Sequence, residues 1–354
     1  MSGRTRLRAA GLIVLLLVGS VLLTVLALEG AVRLRRGTLF EFASATARPR
    51  DGIGRMQYDA GLGWTSRPGA FEGDWRWSVD PEGFRRSGGS PAASQRPIIT
   101  VGDSFTFGDE VADHETWAAH LETILDRRVL NAGAGAYGID QAFLRAEGLL
   151  ERRQPALVIL AFISDDINRT EFSFYPWGRG WKPYFEREGD SLVLRNVPVP
   201  REPPRLRAEV LRQVLGYSQL ADALLSRLAG QWWRGVPAIR KVHEDGDQVS
   251  ALLLARLDSL ARQHGARFLA VALPITGRIG GNERLPAVVE GARSRGVEVL
   301  DLTPAAAEAG RDRAEWFMPG GHYSPAMNRW VAEQIGAHVS ARTLIEAPGG
   351  PTSR

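Results

Sequence analysis

Gly102-Asp103-Ser104-Phe105-Thr106-Phe107-Gly108 follows directly on the β-branched run Ile98-Ile99-Thr100-Val101. A serine at the end of a strand, opening a helix, sits where the chain turns sharply, and its own N–H can help to bind an oxyanion there. Serine attacks only when a base takes its proton, and histidine is the usual base near neutral pH. Of six histidines, His322 alone lies in a Gly-rich loop, Pro319-Gly320-Gly321-His322-Tyr323-Ser324-Pro325, just before the last helical pattern. His114, His120, His264 and His338 fall on or beside helical patterns and His243 in a charged stretch, so they read as structural or solvated. Ser104 and His322 are therefore the pair whose types and setting could do acyl-transfer chemistry.

A second motif competes. Gly133-Ala134-Gly135-Ala136-Tyr137-Gly138 fits G-x-G-x-x-G after a strand and before a helix, which suits a dinucleotide pyrophosphate. Its acidic partner should end the next strand about 20 residues on, but Asp165 and Asp166 come later than that. The nucleotide reading is set aside. The chain has no cysteine, which excludes thiol catalysis, Fe–S clusters and Cys-ligated zinc. No pair of His, Asp or Glu shows ligand spacing, so neither a metal nor a cofactor is expected.

The elements that must position Ser104 and His322 alternate. Ile98–Val101, Arg128–Leu130, Ala156–Ile163, Arg267–Leu273 and Val297–Leu302 read as strands. Glu115–Arg128, Gly138–Arg153, Asp247–His264, Pro286–Arg295 and Pro325–Ser340 read as helices. The nearly continuous apolar run Ala156–Ile163 suits a strand buried on both faces. Alternating β and α units predict a parallel sheet covered by helices on both sides. Two stretches interrupt the pattern. Residues 170–204 carry several Pro and the aromatics Phe172, Phe174, Tyr175, Trp177, Trp181, Tyr184 and Phe185, with a hairpin expected around Glu188-Gly189-Asp190; residues 205–245 add helix ending at Trp232-Trp233. The aromatics read first as loop packing and second as a substrate-facing wall.

Gly-Asp-Ser after the first strand, a Gly-rich turn after the second, Ile163-Ser164-Asp165-Asp166 after the third and a late His322 resemble the SGNH (GDSL) hydrolases over about residues 97–340. The lead-in, through Tyr58-Asp59, Leu62-Gly63-Trp64 and Gly83-Phe84-Arg85, is similar to the membrane-anchored bacterial subgroup. The resemblance implies an α/β fold: a three-layer α/β/α sandwich with a flavodoxin-like parallel sheet. It implies hydrolysis or transfer of acyl groups esterified to carbohydrates, lipids or small alcohols. By position it implies Ser104 as nucleophile, His322 as base, and an oxyanion hole from the N–H of Ser104, the N–H of Gly135 (or Ala136) and the group at Asp165. Two positions depart from the family. Asp165 replaces its asparagine; an ionised carboxylate donates no hydrogen bond, so it serves only if burial or Asp166 keeps it protonated, or if Asn168 takes its place. Pro319 and Gly320 stand where the family carries an Asp before the His. The candidate orienting carboxylate is then Asp301, at the end of a late strand; a backbone carbonyl or an unassisted Ser–His dyad are the alternatives.

From Ala9 to Leu28 twenty residues carry no charge, enough helix to span a bilayer core of about 30 Å. Arg4, Arg6 and Arg8 precede the run and Arg33, Arg35 and Arg36 follow it. The run is long for a signal peptide and ends in a poor cleavage site, so it reads as an uncleaved anchor in the inner (cytoplasmic) membrane. The short basic leader favours the amino terminus inside and the bulk of the chain extracytoplasmic, or periplasmic. The net charge of +4 concentrates here: residues 1–36 hold six Arg and one Glu, leaving −1 for the rest, which removes the electrostatic case for nucleic acid. The expected plan is a tail and anchor (1–36), an irregular lead-in with short strands near Trp75–Val79 (37–96), a hydrolase-like domain (97–342) with its insertion at about 170–245, and a flexible tail (343–354). The expected activity is that of a membrane-anchored serine ester hydrolase on acyl esters, carbohydrate esters among them. The alternatives are an acyltransferase on a cell-surface polysaccharide and a weakened module that binds glycan or an assembly partner.

Overall fold

The computed structural model of the protein describes residues 3–39, 55–73, 76–89, 95–175, 180–189, 191–201, 209–233, 240–275, 284–311 and 313–345. Two compact units emerge, Met1–Gly52 with Pro203–Ala238 and Ile53–Glu202 with Ile239–Arg354. The first contains α1 (Gly3–Arg36), α6 (Glu209–Leu215), α7 (Gln219–Leu228) and α8 (Gly230–Trp233). Helix α1 is long and apolar enough to cross a membrane.

The second unit is built on a parallel sheet of β5 (Ile98–Val101), β6 (Val129–Asn131), β7 (Leu157–Phe162), β13 (Arg267–Ala272) and β14 (Val299–Asp301), in the order β14-β13-β7-β5-β6. Numbered by their own succession, the strands run 2-1-3-4-5, the flavodoxin-like order. Alternation of side chains across each strand divides the core. Val158, Leu160 and Phe162 of β7 pack with α4 (Ile139–Arg153), α9 (Gly246–Gln263) and α10 (Arg284–Arg293). Leu157, Ile159 and Ala161 pack with α3 (Trp117–Leu125) and α12 (Pro325–Ala341). The result is a three-layer α/β/α sandwich. Chain order reverses between β5 and β7, so the crevice at their carboxyl ends is where a ligand is expected.

Boundaries move for local reasons. The expected helix Glu115–Arg128 shrinks to α3 because Thr116 Oγ1 caps it, accepting the Ala119 N–H at 3.1 Å, and Asp126 turns left-handed at φ 46°. The segment after β7 is not a plain loop but α5 (Ser164–Arg169), and α11 (Thr303–Glu308) follows β14. The lead-in holds more regular structure than its weak periodicity suggests. Two antiparallel pairs, β1 (Met56–Asp59) with β2 (Gly63–Ser66) and β3 (Gly69–Phe71) with β4 (Trp77–Val79), precede the sheet. Arg85 then bridges β4 and β6 at the sheet edge, and its N–H donates to Asn131 O at 2.8 Å. The first part of the expected Trp75–Val79 strand and the tail beyond 345 lie outside the described residues.

The insertion forms β8 (Phe172–Tyr175), β9 (Gly180–Trp181), the expected hairpin β10 (Tyr184–Glu188) with β11 (Ser191–Arg195), and a short β12 (Arg240–Lys241) paired to β8. Phe174 and Phe185 are buried. Phe185 meets Phe143 of α4 edge-on at 5.6 Å and Phe174 meets Trp181 at 5.2 Å, so these rings pack rather than line a substrate wall. Trp177 lies outside the described residues.

Candidate active site

Ser104 is the first residue of α2 (Ser104–Phe107), a single turn that leaves β5. Three residues make this turn. Gly102 has φ +156°, and a Cβ there would run into the Ala161 carbonyl and the Thr106 side chain. Asp103 caps the turn, its Oδ1 accepting the Phe105 N–H at 2.9 Å. Gly108 ends it left-handed at φ 85°, where a Cβ would strike Thr116. Because α2 is one turn long, the chain is back at the serine within six residues, at Asp109 and Glu110.

His322 comes to meet it from the loop before α12. Its Nε2 lies 2.9 Å from Ser104 Oγ. The loop is shaped by an antiparallel bridge between Phe317 and Tyr323 and is tied down by the Tyr323 hydroxyl, which donates to Pro274 O at 2.6 Å. Phe105 packs on the His322 ring at 5.1 Å and on Tyr323 at 4.8 Å.

The other ring nitrogen faces Glu110. Oε2 of Glu110 lies 2.9 Å from His322 Nδ1 and accepts the His322 N–H at 3.1 Å, while Oε1 accepts the Gly320 N–H at 2.8 Å. Asp301 does not occupy this place. Its Oδ1 accepts from the Thr303 N–H at 2.9 Å and the Thr303 hydroxyl at 2.6 Å, capping α11. Glu110 reaches the histidine because it sits at φ 68°, a conformation that costs a non-glycine residue and is held by its surroundings. Gly320 is glycine for the same contact: a Cβ there would lie 2.6 Å from the Glu110 oxygens. Burial works to raise the Glu110 pKa, but the hydrogen bonds from the His322 ring, the His322 N–H and the Gly320 N–H outweigh it, and the net direction is down. Sequence reasoning looks for this carboxylate just before the histidine; the signal lies in Gly108-Asp109-Glu110, at the end of the serine's own turn. Asp109 also approaches, with Oδ2 4.0 Å from Nε2. Loss of hydration pushes its pKa up, against the pull of His322, Arg55 and Arg85.

Glycines of the second loop serve close packing rather than a pyrophosphate. A Cβ at Gly133 would collide with Phe107 N, and one at Gly138 would lie 2.6 Å from Asp140 Oδ1. Gly135 is fixed by the lead-in: its carbonyl accepts Trp64 Nε1–H at 3.0 Å, and the Tyr137 hydroxyl donates to Trp64 O at 2.6 Å. Among the described residues no acceptor takes the Gly135 N–H, and the Ser104 N–H, first in its helix, has no intrahelical carbonyl.

Arg169 joins the three loops. Its Nη1 lies 3.0 Å from Asp103 Oδ2, 3.1 Å from Tyr137 O and 2.5 Å from Asp166 Oδ1. Asp166 also accepts the Ile163 N–H at 3.0 Å. Burial pushes the Asp166 pKa well up and neighbouring Asp103 pushes the same way, while Arg169 opposes both. Asp165 stands in the first turn of α5, partly buried. Asn168 is turned elsewhere, its Oδ1 accepting from Arg284 Nη1 at 3.1 Å. Three further histidines are engaged elsewhere: His338 pairs with Glu298 at 2.9 Å, His243 with Asp245 at 2.8 Å, and His264 caps α9.

No protein-family model matches the chain, and no curated protein matches it. Solved structures similar to it include TesA, at 15% identity over 70% of this chain and 99% of that one with a TM-score of 0.42. A lipase/acylhydrolase from Enterococcus faecalis matches at 12% identity over 70% and 97% with a TM-score of 0.39. The acetyl xylan esterase Est2A from the rumen bacterium Butyrivibrio proteoclasticus matches at 11% identity over 73% and 66% with a TM-score of 0.38.

Proposed function

We propose that the chain is an SGNH-type serine ester hydrolase, held by α1 in a membrane with its catalytic unit extracytoplasmic, and acting on acyl esters. One observation carries the chemistry: a continuous line from Ser104 Oγ through both ring nitrogens of His322 to Glu110, each step 2.9 Å. In that line Ser104 Oγ attacks the acyl carbonyl as Nε2 takes its proton. Nδ1–H stays on Glu110, which fixes the tautomer and offsets the imidazolium charge. Nε2–H then protonates the leaving alcohol, and water repeats the cycle to release the acid. The N–H groups of Ser104 and Gly135 receive the oxyanion. The anchor reading is supported by α1 itself, which is long and apolar enough to cross a membrane and whose large apolar side chains are exposed.

A serine-directed fluorophosphonate tests the reaction class. Labelling that maps to Ser104 and is blocked by competing short acyl-nitrophenyl ester is the expected result; labelling elsewhere, or none in a folded preparation, overturns the proposal.

The third oxyanion contact falls to residue 165. An ionised carboxylate there repels the developing negative charge, and a missing donor costs about 3–4 kcal/mol in comparable holes. Asp165→Asn is therefore expected to raise kcat/KM, by about tenfold or more. Steady-state kinetics at neutral pH read it directly. A fall instead would overturn this reading and show that the carboxyl at 165 serves the reaction as it stands.

A further inference from the structure

Among the described residues outside α1, α6 and the turn after it expose four large apolar side chains on one helical face, and α7 exposes Leu224 and Leu228. Val210, Leu211, Val214 and Tyr217 are 73%, 52%, 61% and 66% exposed. Their spacing of i, i+1, i+4 and i+7 puts them on a single helical face. Seven residues of helix do not hold their form in water without packing, because nucleation costs more than so short a run returns. An apolar surrounding on that face would add to the packing that holds so short a helix.

The neighbouring element says what it is. Glu29 is the first charged residue after the apolar run of α1, and it grips the start of α7: it accepts from Ser218 Oγ at 2.8 Å, from the Gln219 N–H at 2.9 Å and from the Leu220 N–H at 2.8 Å. Arg33 donates to the carbonyl of Tyr217 at 2.9 Å. The junction of α6 and α7 is thus fixed at the level along α1 where the apolar residues stop. In a helix that crosses a bilayer, that level is the boundary between acyl chains and headgroups. Arg33, Arg35 and Arg36 end the same helix, where long cationic side chains reach the headgroup layer. A tyrosine at the edge of an apolar face belongs in that layer as well.

We propose that the exposed face of α6 lies in the interfacial layer of the same bilayer that α1 crosses, with Val210, Leu211 and Val214 at the acyl boundary and Tyr217 among the headgroups. The proposal rests on the reading of α1 as a membrane anchor. It adds a second, in-plane attachment to the spanning one, so the first unit is seated on the membrane rather than tethered above it.

The absence of cysteine makes the test direct, because each introduced thiol is the only one in the chain. Full-length Val18→Cys, Val214→Cys and Leu211→Cys proteins are labelled with an environment-sensitive fluorophore and reconstituted into vesicles of zwitterionic and anionic phospholipid. Quenching is read with lipids bearing a nitroxide near the headgroup or deep in the acyl chain, and with aqueous iodide. The expected result is deep quenching at 18, and shallow quenching with blue-shifted emission and protection from iodide at 211 and 214. Lipid quenching at 18 with free iodide access at 211 and 214 overturns the seating of α6 and leaves the anchor standing. Protection from iodide at 211 and 214 without lipid quenching overturns it in favour of a protein surface, such as a second copy. No lipid quenching at 18 overturns the anchor, and this inference with it.

Discussion

Ser104→Ala should lower kcat/KM for a short acyl ester by about 10³–10⁶-fold, Glu110→Gln by about 10²–10⁴-fold, and the two together by no more than Ser104→Ala alone. The non-additivity is the sharp part. Glu110 touches no substrate in this scheme; it acts through His322, and His322 acts through the serine hydroxyl. Once the hydroxyl is gone, the orienting carboxylate has nothing left to improve. Glutamine keeps the size of the side chain, yet its amide brings an NH2 group to a place that meets three donors, the Nδ1–H, the His322 N–H and the Gly320 N–H. Whichever way the amide turns, one of those donors faces another donor. A loss below tenfold for Glu110→Gln would remove Glu110 from the proposed mechanism. The same substitution has a stability signature. The folded state holds the Glu110 carboxyl below its ordinary value, so the unfolded chain takes up the proton first as pH falls. The stabilisation is fully present above the ordinary glutamate value and is lost as pH drops through the lowered folded value. Denaturant unfolding across the acid range should therefore show a shallower pH dependence in Glu110→Gln than in the parent chain.

The parts of this site that follow from local rules are legible in the chain itself. A β-branched run ending in Gly-Asp-Ser announces a strand, a turn and a helix start within seven residues. Alternating buried strands and amphipathic helices announce a parallel sheet with two helical layers. What stays hidden depends on where a chain doubles back. Glu110 is six residues from Ser104, but only the left-handed turns at Gly108 and Glu110 aim its carboxylate at a histidine 212 residues further on. The order of blocks along the chain points instead beside the histidine and to Asp301, whose hydrogen bonds go to Thr303. Arg169 is invisible for a related reason. Its value lies in reaching three loops at once, through Asp103, Tyr137 and Asp166, and no spacing in one segment encodes that. The strands of the lead-in are three or four residues long, too short for a periodicity signal, while its role in gripping Gly135 runs through Trp64.

Lys182→Ala should destabilise the folded protein by about 3–5 kcal/mol, whereas Lys182→Met combined with Asp140→Leu should recover most of that loss. Lys182 and Asp140 form an ion pair in which both side chains are fully buried. Burial drives the Asp140 pKa up and the Lys182 pKa down, and each charge pulls the other back. The ammonium also donates to Pro183 O at 3.0 Å and Phe172 O at 3.3 Å, and Asp140 accepts the Gln141 N–H at 2.9 Å, so the donors and acceptors around the pair are matched. Removing the lysine alone leaves a carboxylate without its cation in a dry setting and two carbonyls without their donor. Removing both charges with apolar groups of similar size leaves the two carbonyls and the Gln141 N–H without partners but no buried charge, which is a smaller deficit. For a unit of this size the single substitution corresponds to a fall in Tm of about 6–20 °C. Its position decides what else is lost. Asp140 is the second residue of α4, immediately after the loop that presents Gly135, and Lys182 begins the turn into the β10–β11 hairpin. The pair therefore locks the insertion to the loop that carries the second oxyanion donor. The expected kinetic result for Lys182→Ala, measured well below its Tm, is a lower kcat with little change in KM, since the loop's ground-state contacts survive while its N–H loses aim. An unchanged kcat in a destabilised variant would confine the pair to stability, and an unchanged Tm would remove it from both.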